Sequence, residues 1–324
     1  MERSPPGSRY DTCETDMKIT EFLTAALFLA GAVFQANASD IPRGEYPRPQ
    51  FERTEWMNLN GVWDYTFDFS GSGLERGLEK ATAFEGRITV PFCPESSLSG
   101  VGYTDFINCI WYHREVAVPE AWRGKDILLN FGAVYYNAEV YVDGVFAARH
   151  IGGSSSFSVD LTRLVTPGKS HHLVVRATSD VRSTTQGAGK QNLQYASYGC
   201  NYTRTTGIWQ TVWLESVPEN YVKSLRLTPD LDAGVLRWHI EADGAEGARV
   251  TVRAGDTVIA EGRADENGDG VSVIPAAHLR PWSPGDPFLY DVDITLGEDR
   301  VASYFGMRKF SLVEHQGRQV LALN

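Results

Sequence analysis

After residue 40 the chain is a succession of short alternating runs cut by Gly, Pro, Asn and Asp, with helical periodicity scarce. Period-two alternation gives each run an apolar and a polar face, so the runs must form sheets. With no helices to cover them, the sheets must cover one another. Residues 114–118, 126–131, 138–142, 172–177 and 208–214 read as strands of a first all-β domain. Val142-Asp143-Gly144-Val145 sets Asp-Gly between apolar neighbours, a tight-hairpin signal, and Gly152-Gly153 and Pro167-Gly168 punctuate further turns. The most telling run follows Gly207. Ile208, Gln210, Val212 and Leu214 take one face, and Trp209, Thr211, Trp213 and Glu215 the other. Apolar residues on both faces require a strand buried between layers or packed with one face on a neighbouring domain. Two tryptophans in one strand favour the second arrangement.

The pattern breaks at Val217-Pro218-Glu219-Asn220, and a second set of strands follows at 222–227, 235–240, 249–253, 257–260, 271–274, 289–296 and 301–310. So many short strands in so few residues predict an immunoglobulin-like sandwich. The expected organisation is a first domain over 39–217 and a second over 218–310. Residues 311–324 carry a hairpin pattern that leads onward. A chain of 324 residues fits this division.

Residues 1–38 read as a leader. Lys18 precedes an apolar run over 22–34, and Ala36-Asn37-Ala38 places small residues where a signal peptidase cuts. Met17 is the expected true start, and the product is expected outside the cytoplasm, periplasmic or secreted. Glu21 sits awkwardly close to the apolar run. The run is too short to span a bilayer. The net charge of −11 disfavours nucleic acid and anionic membrane surfaces, which call for a basic face. Cleavage would remove Cys13 and leave Cys93, Cys109 and Cys200. The sequence allows either a Cys93–Cys109 bridge or three unpaired buried thiols.

Several chemical signals fail on inspection. Asp265-Glu266-Asn267-Gly268-Asp269-Gly270 starts like a calcium loop, but Ala276 stands where the bidentate Glu belongs, so a solvated turn is expected. Gly187-Ala188-Gly189-Lys190-Gln191 resembles a phosphate loop, but Gln191 and Thr184 replace the required Ser/Thr and Gly. His171 and His172 face opposite ways on a strand and cannot share a metal. No metal or cofactor is expected.

An ordered set of segments resembles glycoside hydrolase family 2, which includes β-galactosidases, β-glucuronidases and β-mannosidases. The segment Tyr202-Thr203-Arg204-Thr205-Thr206-Gly207-Ile208-Trp209 and its continuation to Glu215 is similar to the end of that family's first domain. Val90-Pro91-Phe92-Cys93-Pro94-Glu95, Trp111-Tyr112-His113-Arg114, Leu128-Leu129-Asn130-Phe131-Gly132, Val140-Tyr141-Val142-Asp143-Gly144 and Gly189-Lys190-Gln191 match earlier parts of it. Pro287-Phe288-Leu289-Tyr290 and Tyr304-Phe305-Gly306-Met307-Arg308-Lys309 resemble the second domain and its exit.

The resemblance implies a jelly roll followed by an immunoglobulin-like sandwich. It implies an enzyme that hydrolyses a terminal β-linked sugar with retention, using two glutamates about 5 Å apart on a following barrel. No counterpart of either glutamate precedes Asn324, so no catalytic residue is assigned here. The barrel becomes the expected partner, and this chain alone is expected to be inactive. A homo-oligomer is also allowed.

The resemblance further implies substrate-side roles for Asn201, Tyr202, Arg204, Glu95, Lys190 and Gln191. For Asn201, Tyr202 and Arg204 the alternatives are sugar contact, domain docking and a local turn. Asn201 stands where some members carry a sodium-binding acid. Two other readings remain: a free-standing carbohydrate-binding protein, and a structural two-sandwich protein.

Overall fold

The computed structural model describes residues 41–324, whose regular structure is almost entirely β-strand; the expected leader and Cys13 lie outside them. The first group of strands is β1 (Trp56–Asn58), β2 (Gly61–Phe67), β3 (Gly86–Val90), β4 (Cys109–Ala117), β5 (Asp126–Phe131), β6 (Val134–Tyr135), β7 (Asn137–Val142), β8 (Val145–Ile151), β9 (Phe157–Asp160), β10 (Ser170–Thr178), β11 (Gly207–Ile208) and β12 (Val212–Val217). They form a four-stranded sheet, β1-β12-β5-β9, facing a six-stranded sheet, β3-β2-β4-β10-β7-β8, with β6 and β11 as a short ribbon. This is the jelly roll.

Alternation explains the core. Ile110 and Tyr112 of β4 and Val140 of β7 point inward, onto Ile127, Leu129, Phe131, Val212 and Leu214 of the other sheet. Cys109, Trp111, Tyr141 and Val174 point the other way, beneath Leu78 and Phe84. Truncating a buried aromatic such as Phe131 to Ala would cost about 3–5 kcal/mol. The Asp-Gly hairpin forms as expected. Asp143 and Gly144 both have positive φ, 49° and 79°, the turn whose twist suits antiparallel strands.

The second group is β13 (Ser224–Asp230), β14 (Val235–Glu241), β15 (Arg249–Ala254), β16 (Thr257–Arg263), β17 (Asp269–Val273), β18 (Tyr290–Leu296) and β19 (Asp299–Phe305). Sheets β13-β14-β17 and β16-β15-β18-β19 pack as an immunoglobulin-like sandwich. Trp238 lies in its core, and the backbone of β17 approaches the ring so closely that a Cβ on Gly270 would fall 2.1 Å from it. Asp265 accepts the amide N–H groups of Asn267 and Asp269 through one carboxylate oxygen, which makes the calcium-like segment a self-satisfied turn. The hairpin of β20 (Phe310–His315) and β21 (Arg318–Leu323) follows, with Phe310, Leu312 and Leu321 exposed.

Three local expectations need correction. The run at 208–214 is not one strand. Residues 209–211 leave the ladder, because the buried Asn60 side chain accepts from Val212 N (3.0 Å) and donates to Thr211 Oγ1 (3.2 Å). The chain thus passes from pairing with β6 to pairing with β5 and β1. The run at 301–310 ends at Phe305, where Gly306 packs on Trp282 and Met307 turns into the core. Cys93, Cys109 and Cys200 are all unpaired, and Cys200 is exposed instead of buried. Burial pushes the thiols of Cys93 and Cys109 up to about 11, so both stay protonated and unreactive at neutral pH.

Candidate functional site

A long loop, residues 179–206, joins β10 to β11. Its far end is pinned from inside by Arg204, only 3% exposed. Arg204 Nη1 donates to the carbonyls of Gln194 (2.5 Å) and Asn192 (3.2 Å). Its Nη2 donates to those of Tyr195 (3.3 Å) and Thr104. The guanidinium also lies 4.1 Å from the centroid of Phe106. Of the three roles expected for Arg204, its hydrogen bonds here are all local: it ties the loop to itself and to the segment before β4.

Backbone pairing completes the frame. Tyr202 N donates to Lys190 O (2.8 Å) and Asn192 N donates to Tyr202 O (2.7 Å). Gln191 Oε1 accepts from Thr205 N at 2.9 Å. Tyr198 and Asn201 close a tight turn. The loop presents Leu193, Tyr195, Tyr198 and Tyr202 to solvent, each more than half exposed. Lys190, Gln191, Asn201 and Tyr202 come together on this loop, while Arg204 faces inward beneath them. The sequence reading missed Tyr195 and Tyr198. The available signal was the density of tyrosines in a polar, turn-rich segment.

Glu95 reaches the base of the same loop. Its Oε2 accepts from Thr206 N at 3.2 Å, and its other oxygen is buried with no partner among the described residues. Burial holds its pKa above the usual carboxylate range, against the hydrogen bonds from Thr206. Beside it, Tyr112 Oη accepts from Ile208 N at 3.3 Å. Gly207 is required here. Its φ is +72°, and a Cβ would stand 2.1 Å from the Tyr112 hydroxyl.

His171 and His172 diverge as expected. His171 Nδ1 pairs with Asp143 Oδ2 (2.7 Å), while His172 Nδ1 meets His113 Nε2 (3.0 Å), whose Nδ1 faces Asp64 Oδ2 (3.1 Å). No group of three or more metal-capable His, Cys, Asp or Glu side chains occurs among the described residues. Nor is any helix among them long and apolar enough to cross a membrane.

The second polar centre joins the two sandwiches. Arg53 donates from Nη1 to Glu215 Oε2 (3.0 Å) on β12. Its Nε and Nη2 form a fork on Asp299 of β19, at 3.0 and 2.9 Å, and Nη2 also reaches Val222 O at 2.7 Å. Glu215 has no exposed surface, yet its pKa is held below the usual range. Burial pushes it up, but the Arg48 charge, hydrogen bonds from Trp213 and Tyr46, and the Arg53 charge outweigh that. The outward face of β12 thus reaches the second sandwich through Glu215 and Arg53, while Trp213 packs against Arg48 (5.3 Å to the ring centroid) and Trp209, the other tryptophan of the expected strand, lies outside β12 and donates to Gly153 O at 2.8 Å. Arg53 left no signal in the sequence, because its partners lie far along the chain.

Comparison with known proteins supports the same parts of the chain. Residues 102–218 match the model for the sugar binding domain of glycosyl hydrolases family 2, and residues 220–308 match a second model of that family. The β-glucuronidase of Felis catus is 28% identical over 319 residues, covering 84% of this chain and 47% of that protein. The β-glucuronidase of Paenibacillus borealis is 25% identical, covering 78% and 44%. The solved β-glucuronidase of Ruminococcus gnavus in complex with D-glucaro 1,5-lactone superposes with a TM-score of 0.67 at 22% identity, covering 86% of this chain and 48% of that one. The chain spans about half the length of the curated relatives it matches.

Proposed function

The chain belongs to glycosyl hydrolase family 2, and we propose that it supplies the two N-terminal β-domains, 39–217 and 218–310, of a retaining β-glycosidase. In this reading residues 311–324 lead into a catalytic barrel that carries both glutamates. The jelly roll and the immunoglobulin-like domain brace that barrel and shape its entrance. The curated relatives are β-glucuronidases, which makes a β-glucuronide the first substrate class to test.

One observation carries the entrance role. A single internally pinned loop brings Lys190, Gln191, Asn201 and Tyr202 together with two further exposed tyrosines, Tyr195 and Tyr198. Flat rings beside amide and ammonium donors suit the faces and hydroxyls of a sugar. Glu95 and Arg204 act from below by holding the loop's base. The bracing role is supported by the buried Arg53 network, which fixes the two sandwiches to each other. Export is part of the proposal and rests on the leader pattern. Amino-terminal sequencing of the mature product should read from Ser39.

The test is an assay of the chain alone and of the product of its locus read past the Asn324 codon, both on 4-nitrophenyl β-glucuronide and β-galactoside. The extended product should turn over one of them, and the chain alone neither. Turnover by the chain alone would sink the proposal, and so would an extended product inactive on every β-glycoside tried.

A further inference from the structure

The two sandwiches are joined less by each other than by the segment that precedes β1. No strand of the first sandwich packs along a strand of the second. Between them lie two cavities, of about 180 and 290 Å³, and Arg53 lines both. Ser216 and Asp299 help to line the smaller, and Asn130, Ser158 and Tyr221 the larger. Ser216 Oγ and Arg48 Nε are buried beside them with no hydrogen-bond partner among the described residues. A junction with such gaps is not packed as a core is.

Residues 41–53 bridge that junction. The segment starts on the first sandwich, where Asn60 Nδ2 donates to Pro42 O (2.9 Å) and Asn58 Nδ2 to Arg43 O (2.9 Å). Tyr46 Oη donates to Glu215 Oε1 of β12 (2.8 Å), and Arg48 Nη2 donates to the same oxygen (2.6 Å). The segment then crosses to the second sandwich. Glu52 and Ala302 exchange both backbone hydrogen bonds, at 2.9 Å each, on the free edge of β19. Ser303 Oγ donates to Gln50 O (2.7 Å), and Phe51 packs against the second core. Arg53 closes the path, with one guanidinium on both Glu215 and Asp299. Pro47 and Pro49 fix two φ angles on the way, so the segment gives up less freedom when it seats.

We propose that residues 41–53 form a clasp, and that the junction is a docking site for this segment, not a direct contact of one sandwich with the other. With the clasp seated, the two sandwiches hold one angle. With it lifted, each stays folded and they swing about the connection at 218–221, where Glu219 and Asn220 are exposed. Lifting is accessible because Phe51 is only partly buried and because Glu215 and Asp299 regain water as the sandwiches part. The docking site is selective in its chemistry. Two buried carboxylates, an open strand edge and an apolar seat match the arginines, the free backbone and the ring of Arg48, Phe51, Glu52 and Arg53. The clasp is a property of this chain and does not depend on the glycosidase reading.

The test is amide exchange and small-angle scattering on the full chain. The Ala302 amide reports the clasp directly, because it donates to Glu52 O. The combined Arg48→Ser, Phe51→Ser and Arg53→Ser variant should speed exchange at Ala302 about tenfold or more. Leu129 and Ile294, one in each core, should keep their protection. The radius of gyration should rise, and the scattering should fit no single arrangement of the sandwiches. A synthetic peptide of residues 41–54 in large excess should reverse both changes. Unchanged exchange at Ala302 overturns the proposal. So does wild-type scattering from a variant whose Ala302 amide is deprotected, since the sandwiches would then hold each other unaided. Lost protection at Leu129 or Ile294 overturns it as well, because the segment would then be part of one indivisible fold. A peptide that restores neither readout does the same.

Discussion

Arg53 and Glu215 form an ion pair of 3.0 Å with almost no exposure on either side, and the same guanidinium grips Asp299 of the other sandwich at 2.9 Å. A cation shared by two buried carboxylates on different domains is strongly coupled, because removing it strands both acids without water. Arg53→Met should destabilise the chain by about 3–5 kcal/mol in urea unfolding, although the new side chain fills most of the space. Arg53→Lys should recover only part of the loss, since an ammonium cannot fork onto Asp299 while also reaching Glu215 and Val222. A change near zero for Arg53→Met would show that the junction does not depend on this contact.

Glu215 also sets an acid limit. Its folded-state pKa lies below the unfolded value, so its contribution is present above the ordinary carboxylate range and fades as pH falls through the folded value. The stability gap between wild type and Glu215→Gln should therefore be constant near neutrality and shrink below about pH 4. Unfolding free energies measured from pH 7 to pH 3 would reveal a gap that fails to narrow.

Glu95 has the opposite sign. Its folded pKa is raised, so the stability it contributes is complete below the unfolded pKa and is lost as pH rises through the folded one. Glu95→Gln keeps an acceptor for Thr206 N and removes the buried charge. It should equal or exceed wild type in thermal midpoint at pH 8, with the advantage vanishing at pH 4. A variant less stable at pH 8 than at pH 4, relative to wild type, would contradict this.

Gly207→Ala should cost more than about 2 kcal/mol, because positive φ and a close approach penalise the same atom. A Cβ there would lie 2.1 Å from Tyr112 Oη but 2.9 Å from the ring carbon that bears it. Adding Tyr112→Phe should therefore relieve part of the loss, and a double-mutant cycle would measure the coupling. Strict additivity would mean that backbone strain alone is responsible.

Arg204→Lys should loosen the loop without unfolding the sandwich. A lysine cannot reach four carbonyls at once, so amide exchange across 192–206 should speed up about tenfold, equivalent to about 1.4 kcal/mol of local opening. The protection of β4 and β10 should not change. Unaltered exchange in the loop would show that backbone pairing holds it without the guanidinium.

Much of the architecture was legible because alternation is a local property. The Asp143-Gly144 hairpin, the strands at 126–131 and 235–240 and the inward face of β12 all follow from residues within a few positions of one another. The break at 209–211 was not legible. It depends on Asn60, about 150 residues away, inserting its amide where a ladder would otherwise continue. The candidate loop was legible in part. Resemblance drew attention to Asn201, Tyr202, Lys190 and Gln191, but only the folded loop shows Arg204 turned inward and Tyr195 and Tyr198 outward.

The sequence by itself determined that this chain builds two all-β sandwiches of a particular family, since periodicity, turn chemistry and ordered motifs all act over short range. Tertiary structure decided which polar residues are structural and which are free to meet a ligand. Sequence left Arg204 with substrate, docking and turn roles and placed Glu215 only on a strand face, yet the fold buries both, Glu215 against Arg48 and Arg53 and Arg204 against backbone carbonyls. The physical reason is that a charge can leave water only where partners from distant segments meet it, and that meeting is a property of the fold alone.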